Sequence, residues 1–215
     1  TVVDQYSPSF PAQSADVSYG ILADRITRGF FATPTPGTTN GTDGCSSVAE
    51  PPMFSVNSSV FTNAFSLSIS NVGGGWICYT TNGTLPTEIS TQYVSAITIS
   101  TSTLVRARVY AAGKIPSTTE SRAYIMLGAD LMNFSSDLPL VIIENFGAGA
   151  IPEPDPKQAA YMVIFEPKGG RSSLWAVPDL ATRVGVRRRG ESSIRPTDQK
   201  PNLAVQAYSD GADDD

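Results

Sequence analysis

The sequence predicts a mostly-β protein with an antiparallel β-sandwich at its centre, and three observations lead to that prediction. The run Trp76-Ile-Cys-Tyr-Thr80 is an apolar strand that breaks at Asn82-Gly83, a dipeptide that tolerates positive φ and makes tight turns. Alternating runs at 96–99 and 104–110 follow at short, regular spacing. Gly (18) and Pro (16) are plentiful and only 16% of the residues are charged, as in many extracellular β proteins.

Composition limits the classes of function that the chain can have. With 215 residues it is long enough for one large domain or two small ones. It contains no His, which excludes Ser-His-Asp and Cys-His catalysis within the chain. The sequence has no run of about 18 apolar residues, so it predicts no membrane-spanning helix. Since neither an N-terminal Met nor a signal peptide is visible, we expect a processed or truncated part of a larger protein.

The central segment, residues 52–127, has the inward and outward pattern of a two-sheet sandwich. Its inward positions are expected on one early and one later strand: Phe65, Leu67, Ile69, Val105, Ala107 and Val109. Arg106 and Arg108 alternate with these positions and are predicted to lie on a solvated face. Trp76 follows three glycines and is interpreted as a core residue, with an exposed sugar-stacking platform as the alternative.

The strand and turn Tyr79-Thr-Thr-Asn-Gly-Thr-Leu-Pro-Thr87, with the later run Val105-Arg-Ala-Arg-Val-Tyr110, resembles a known module. The resemblance is to the Fn3-like domain at the C-terminus of chitobiases and hexosaminidases, and it covers residues 52–127. It implies an Ig/Fn3-like sandwich, and such modules usually act as spacers or binding platforms in secreted proteins.

Residues 1–43 are predicted to form a partial β-sandwich. Asp16-Val-Ser-Tyr-Gly20 and the run Gly29-Phe-Phe-Ala-Thr33 are each interpreted as a short strand, and Pro34-Thr-Pro-Gly37 as a rigid turn. The pattern resembles the last strands of a lamin-tail domain, which implies that the other strands come from elsewhere. Residues 44–51 are interpreted as a polar linker.

Residues 128–215 are predicted to be an incomplete α+β domain. Leu138-Pro-Leu-Val-Ile-Ile143 is typical of a buried strand, and Tyr161–Phe165 and Arg183–Arg187 are predicted as further strands. Helical periodicity is considered for 123–134 and 157–165. Gly169-Gly-Arg-Ser-Ser173 lacks the Lys and the spacing of a P-loop and is interpreted as a hairpin turn.

The order of Leu138-Pro-Leu-Val-Ile-Ile-Glu-Asn-Phe-Gly147, Phe165-Glu-Pro167 and Arg183-Val-Gly-Val-Arg-Arg-Arg-Gly190 resembles the opening of a CotH-type kinase domain. The resemblance implies ATP, a divalent metal and a nucleotide-binding role for five residues: Arg189, Gly190, Ser192, Ser193 and Lys200. Glu191 and Pro201 depart from the family pattern. The acidic groups that a kinase needs are not matched here, so no catalytic residue is predicted in this chain and no cofactor is expected for it alone.

Cys45 and Cys78 are predicted to form a disulfide, with two unrelated buried thiols as the alternative. Four Asn-x-Ser/Thr sequons are candidate glycosylation sites, although chance and, at one of them, the turn itself also explain them: Asn40, Asn57, Asn82 and Asn133. Both features suggest a secretory route.

The acidic end has a weak Ca²⁺ interpretation, with a solvated acidic terminus favoured instead: Asp210, Asp213, Asp214 and Asp215. The basic run Arg187–Arg189 does not predict nucleic-acid binding in a chain with a pI of about 4.7. The sequence therefore favours an extracellular or cell-surface structural fragment that is not itself an enzyme. Its expected partners are copies of itself or neighbouring surface proteins, joined by strand completion into a filament or layer. The alternatives are the front portion of a CotH-like kinase and a carbohydrate-binding module.

Overall fold

The computed structural model describes residues 5–6, 9–153, 155–190 and 202–211, and these residues fold into strands. One short 3₁₀ helix, Ala129–Leu131, is the single helical element within those ranges. The mostly-β prediction is confirmed. Among the described residues, no helix is long and apolar enough to cross a membrane.

The N-terminal region contributes one antiparallel hairpin, β1 (Ser18–Ile21) and β2 (Arg28–Phe31). Asp24 closes the turn, because its carboxylate accepts hydrogen bonds from the amides of Ile26 (2.9 Å) and Thr27 (2.8 Å). Tyr19 and Phe30 pack across the two strands with ring centroids 4.7 Å apart. Both predicted strands of this region are therefore present, although the structure does not test the lamin-tail resemblance.

The linker and the central region contain strands β3 to β13. Their bounds are β3 Ser47–Val48, β4 Met53–Phe54, β5 Ser59–Phe61, β6 Phe65–Leu67, β7 Ile69–Ser70, β8 Trp76–Thr80, β9 Thr91–Gln92, β10 Ile97–Ile99, β11 Thr103–Tyr110, β12 Lys114–Ile115 and β13 Glu120–Met126. One sheet has five strands in the order β5-β13-β11-β8-β9. The two-stranded pairs β6-β10 and β4-β7 lie opposite that sheet, since side chains from both layers share one core.

This first core confirms the predicted inward face. It contains Leu67, Ile69, Val105, Ala107 and Val109, and Phe65 packs against it while remaining partly exposed. The turn at Asn82-Gly83 is also confirmed, because Gly83 has a φ of 82° that a residue with a side chain rarely adopts. A side chain at Gly75 would collide with the carbonyl oxygen of Tyr110. Only glycine therefore fits at the position before Trp76, where β8 begins.

The third region adds strands β14 to β19. Their bounds are β14 Ser135–Ser136, β15 Leu140–Glu144, β16 Gln158–Phe165, β17 Ser172–Ser173, β18 Leu180–Arg188 and β19 Leu203–Ala207. Four of them form an antiparallel sheet in the order β15-β16-β18-β19. The helical interpretation of 123–134 and 157–165 was wrong, since 123–126 belong to β13, 158–165 form β16, and only the 3₁₀ turn Ala129–Leu131 is helical within these described ranges. The described part of this region thus lacks the α-helices of an α+β domain.

A second core joins the central and third regions. It takes Leu104, Ala123, Ile125 and Leu127 from the sandwich and packs them against side chains of the third region: Tyr161, Val163, Phe165 and Leu174. Strand β11 therefore has one side in each core, with Val105 in the first and Leu104 in the second. The hairpin predicted at 169–173 is present beside this core, with Gly169 and Gly170 both at positive φ.

Candidate functional site

Two features of the third region distinguish it as a candidate site: a clasp that fixes its sheet against the sandwich, and an outer sheet face that is left open. The clasp consists of Arg106 and Arg183 with the backbone of Ser209 and Asp210. Arg106 is fully buried, and its guanidinium donates 2.7 Å hydrogen bonds to the carbonyl oxygens of Gly83 and Asp210. Arg183, only 3% exposed, donates a 2.6 Å bond to the carbonyl oxygen of Ser209.

The clasp corrects the prediction that Arg106 and Arg108 lie on a solvated face. Alternation placed both residues correctly on the face opposite the first core, but the third region covers that face. A buried guanidinium is tolerated here because main-chain oxygens accept hydrogen bonds from both of its terminal nitrogens. Arg108 is half-buried, with its Nε 2.6 Å from the carbonyl oxygen of Ser117. The sequence predicted strands in the third region but gave no signal that their sheet covers this face of the sandwich.

Two buried tyrosines have hydroxyls satisfied within the protein, Tyr161 in the core between the regions and Tyr124 in the first core. The hydroxyls of Tyr161 and Ser58 are 3.0 Å apart in the buried interior, and Ser58 Oγ also accepts a bond from the amide of Ala123. Burial raises the pKa of Tyr161, although the bond to Ser58 opposes this. Burial likewise raises the pKa of Tyr124, whose hydroxyl donates to the carbonyl oxygen of Val56. Both side chains therefore stay neutral well into the alkaline range.

The outer face of the four-stranded sheet is incompletely covered. The loop after β15 places Ile151 over Ala160, Val184 and Val186, which form a small third core. Where β15 begins, the cross-strand row Val141, Ile164 and Leu180 has no such cover from the described residues, and Val141 is 55% and Leu180 43% exposed. Within the described residues, β15 pairs with a strand on one side only. An apolar row beside an unpaired strand edge is a surface suited to strand pairing.

Two of the five nucleotide-binding residues predicted from the kinase resemblance, Arg189 and Gly190, lie among the described residues. Arg189 is exposed after the end of β18 and its amide donates to the carbonyl oxygen of Asn202, while Gly190 follows with a φ of 119°. Ser192, Ser193 and Lys200 lie outside the described residues. The ATP and divalent-metal expectations therefore remain predictions.

The predicted disulfide is wrong, because Cys45 and Cys78 are both free thiols. Cys45 forms a β-bridge with Phe30 beside the N-terminal hairpin, whereas Cys78 lies inside the five-stranded sheet between Gln92 and Arg108. The backbones of the two cysteines therefore pair with different segments of the chain. Burial raises the pKa of the Cys78 thiol, which points at the carbonyl oxygen of Glu88 at 3.6 Å.

The four sequons differ in geometry. The Asn40 side chain is already used, since its Nδ2 donates to the carbonyl oxygen of Ile21 and its Oδ1 accepts from Thr35. Asn82 is exposed and accepts hydrogen bonds from both the amide and the hydroxyl of Thr84. Asn57 and Asn133 are exposed. Attached sugar is therefore compatible with the last three sites, whereas sugar at Asn40 would attach to the Nδ2 atom that already donates to the carbonyl oxygen of Ile21.

The weak Ca²⁺ interpretation gains no support from the part of the chain that the structure describes. Asp210 lies in the clasp, and Asp213, Asp214 and Asp215 fall outside the described ranges. Among the described residues, no group of three or more acidic, Cys or His side chains is arranged to hold a metal ion.

Comparison with known proteins gives one match. A protein-family model described as "Fn3 associated" matches residues 65–124, which include strands β6 to β12 and most of β13. The match supports the Fn3-like interpretation of the central region, and it covers neither the N-terminal hairpin nor the four-stranded sheet. No curated protein and no solved structure matches the chain.

Proposed function

We propose that this chain is an extracellular structural and binding module that associates with further copies of itself by strand pairing along β15. The Fn3-associated match supports a module of the kind found in extracellular proteins, and the accessible sequons agree with a secretory route. The observation that carries the proposal is the free edge of β15 beside the exposed row of Val141 and Leu180.

Natural proteins usually protect long sheet edges with Lys, Pro, bulges or a covering loop. Strand β15 has the sequence Leu-Val-Ile-Ile-Glu, so none of its first four residues carries a charge or a ring that blocks pairing. Pro139 precedes the strand, and Asp137 and Glu144 are its nearest charges. Pairing of two β15 edges would join two four-stranded sheets into one and bring both apolar rows together. This geometry fits assembly into larger ordered structures better than it fits an isolated spacer.

The proposal is tested by sedimentation velocity on the purified chain over a range of concentrations. We expect the unmodified chain to self-associate reversibly and Val141→Lys to remain monomeric, because a charge on the exposed row must lose water when two sheets pair. Val94→Lys is the matched control: Val94 is 84% exposed in a loop of the central region, so this variant should associate like the unmodified chain.

The outcomes are separable because Val141 is already exposed, so Val141→Lys should leave the thermal unfolding midpoint nearly unchanged. A monomeric unmodified chain throughout the range would contradict self-assembly. Association that persists unchanged in Val141→Lys would place the contact elsewhere and contradict the role of β15.

A further inference from the structure

A cavity of about 220 Å³ opens between the sandwich and the third region, beside the residues that follow the C-terminal end of β15. Its walls are the turn at Asn82-Gly83 and the loop after β15, and its floor includes Ala159, Ala160 and Leu104. The space exists because the inner face of β16 changes from large to small side chains. Phe165, Val163 and Tyr161 fill the second core, but Ala159, the next residue on that face, remains exposed.

Both walls of the cavity are held in place by local hydrogen bonds. On the sandwich side, Asn82 Oδ1 accepts from the amide (3.2 Å) and hydroxyl (2.7 Å) of Thr84. On the other side, Asn145 Nδ2 donates to the carbonyl oxygen of Gly149 (2.7 Å) and to Gln158 Oε1 (2.9 Å). The cavity is thus formed before any ligand arrives, as small-molecule sites usually are.

Phe146 adds a second indication of a binding role. It has a φ of 53°, a left-handed conformation that is costly for an aromatic residue, and its amide donates a 2.7 Å bond to Glu144 Oε1. Such strained residues concentrate at ligand-binding positions, where surrounding bonds maintain them. Here the bond to Glu144 supports the left-handed backbone at Phe146, which lies in the cavity lining.

The chemistry of the lining points to the class of ligand. Leu104, Ala159 and Phe146 offer an apolar surface, and two carboxamides lie at the rim. No described residue accepts a hydrogen bond from Asn82 Nδ2, and none donates one to Asn145 Oδ1. An apolar floor beside one free donor and one free acceptor matches a ring with a C–H face and hydroxyls at its edge. Arg183 adds a buried positive charge that favours electron-rich oxygens.

From this arrangement we propose that the cavity between the Asn82 turn and the Asn145 loop binds a single pyranose sugar residue. The volume is below the roughly 300–1,000 Å³ of sites for drug-sized ligands, so it admits one sugar ring and excludes a buried oligosaccharide. The sugar is either the end of a partner's glycan or a residue of a glycan on Asn82 itself. The site does not depend on pairing along β15.

The test is saturation-transfer NMR on the chain made without glycosylation, with the methyl glycosides of glucose, galactose and N-acetylglucosamine as probes. We expect transfer to the ring protons of at least one probe. Ala159→Leu places a larger side chain in the cavity and should abolish that transfer. Ala96→Leu, at an exposed alanine of the sandwich, should leave it unchanged. Carrying all three proteins in a Val141→Lys background separates this result from any self-association.

The result that overturns the proposal is the absence of transfer from the unmodified cavity to all three probes at millimolar concentration. Equal transfer in Ala159→Leu, with its thermal unfolding midpoint preserved, overturns it as well, because the sugar would then bind elsewhere. If transfer is confirmed, repeating it on chain glycosylated at Asn82 distinguishes the two sources. Loss of transfer there means that the chain's own glycan fills the cavity, and retained transfer means that the site serves a partner's glycan.

Discussion

The five-stranded sheet of the sandwich and the four-stranded sheet of the third region are both antiparallel for most of their strands, yet they differ in how their faces are covered. Strand β11 has one core on each side, and six of its eight residues are buried. Strand β16 has the second core on its inner side and only a partial cover on its outer side. Among the described residues, the first sheet is covered by a core on each side, whereas the second leaves part of one face and one edge exposed.

Within the five-stranded sheet, a buried and a partly exposed arginine have different roles. In the sandwich, Arg106 is enclosed and bonded to two carbonyl oxygens, so it fastens the third region in place. On the adjacent strand β13, Arg122 is half-exposed and paired with Glu120 at 3.0 Å. Arginine thus stabilises the contact between two regions at position 106 and forms an ordinary surface ion pair at position 122.

The largest expected effect on stability comes from replacing Arg106. Arg106→Ala should lower the free energy of unfolding by about 3–5 kcal/mol, because it leaves a cavity and removes the donor from two partly buried carbonyl oxygens. Urea denaturation measures the change. Arg122→Ala is the control and should cost no more than about 1 kcal/mol. Equal losses for the two variants would contradict the account of the clasp.

A second comparison uses the two faces of the four-stranded sheet. Phe165 on the inner face is 1% exposed and Leu180 on the outer face is 43% exposed. Phe165→Ala should cost about 3–5 kcal/mol, whereas Leu180→Ala should cost less than about 1 kcal/mol in the monomer. Both values come from denaturant titrations at a concentration too low for association. A large loss in Leu180→Ala under these conditions would mean that the outer face is covered within one chain.

The smallest expected effect is a loss of stability at alkaline pH. Burial raises the pKa of Tyr161, Tyr124 and Tyr110 above the ordinary value of 10.0. Their contribution is complete below pH 10, and it falls as pH rises further, since the unfolded chain then loses the protons that the folded chain retains. Urea midpoints at pH 8 and above pH 10 measure this decline. Tyr161→Phe should make the decline shallower, and a stability that does not fall above pH 10 would contradict the buried positions of these hydroxyls.

Sequence reasoning succeeded where the signal was local. Alternation at Leu67, Ile69, Val105, Ala107 and Val109 identified the first core, and Asn82-Gly83 identified a turn, because strand period and turn chemistry depend on neighbouring residues. The predicted strands around Leu138–Ile143, Tyr161–Phe165 and Arg183–Arg187 are likewise present.

It failed where the answer depended on residues far apart in the chain. Arg106 lies in a run whose alternation correctly assigns its face, but the sheet that covers that face begins more than thirty residues later and its contacts reach Asp210. Pairing of Cys45 with Cys78 failed for the same reason, since it required knowing which strands adjoin each cysteine. The cavity at Ala159 had no sequence signal either, because it forms where a small residue of one region faces a turn of another.

The central claim is that β15 is a free edge in the monomer and becomes paired on assembly. Hydrogen exchange measured by mass spectrometry on peptides that contain Leu140–Glu144, at low and at high protein concentration, tests it most directly. Our account predicts that amide protection in β15 rises with concentration, while the short edge strand Thr91–Gln92 of the sandwich is unchanged. Protection of β15 that is already complete at low concentration, or that does not change at high concentration, would contradict it.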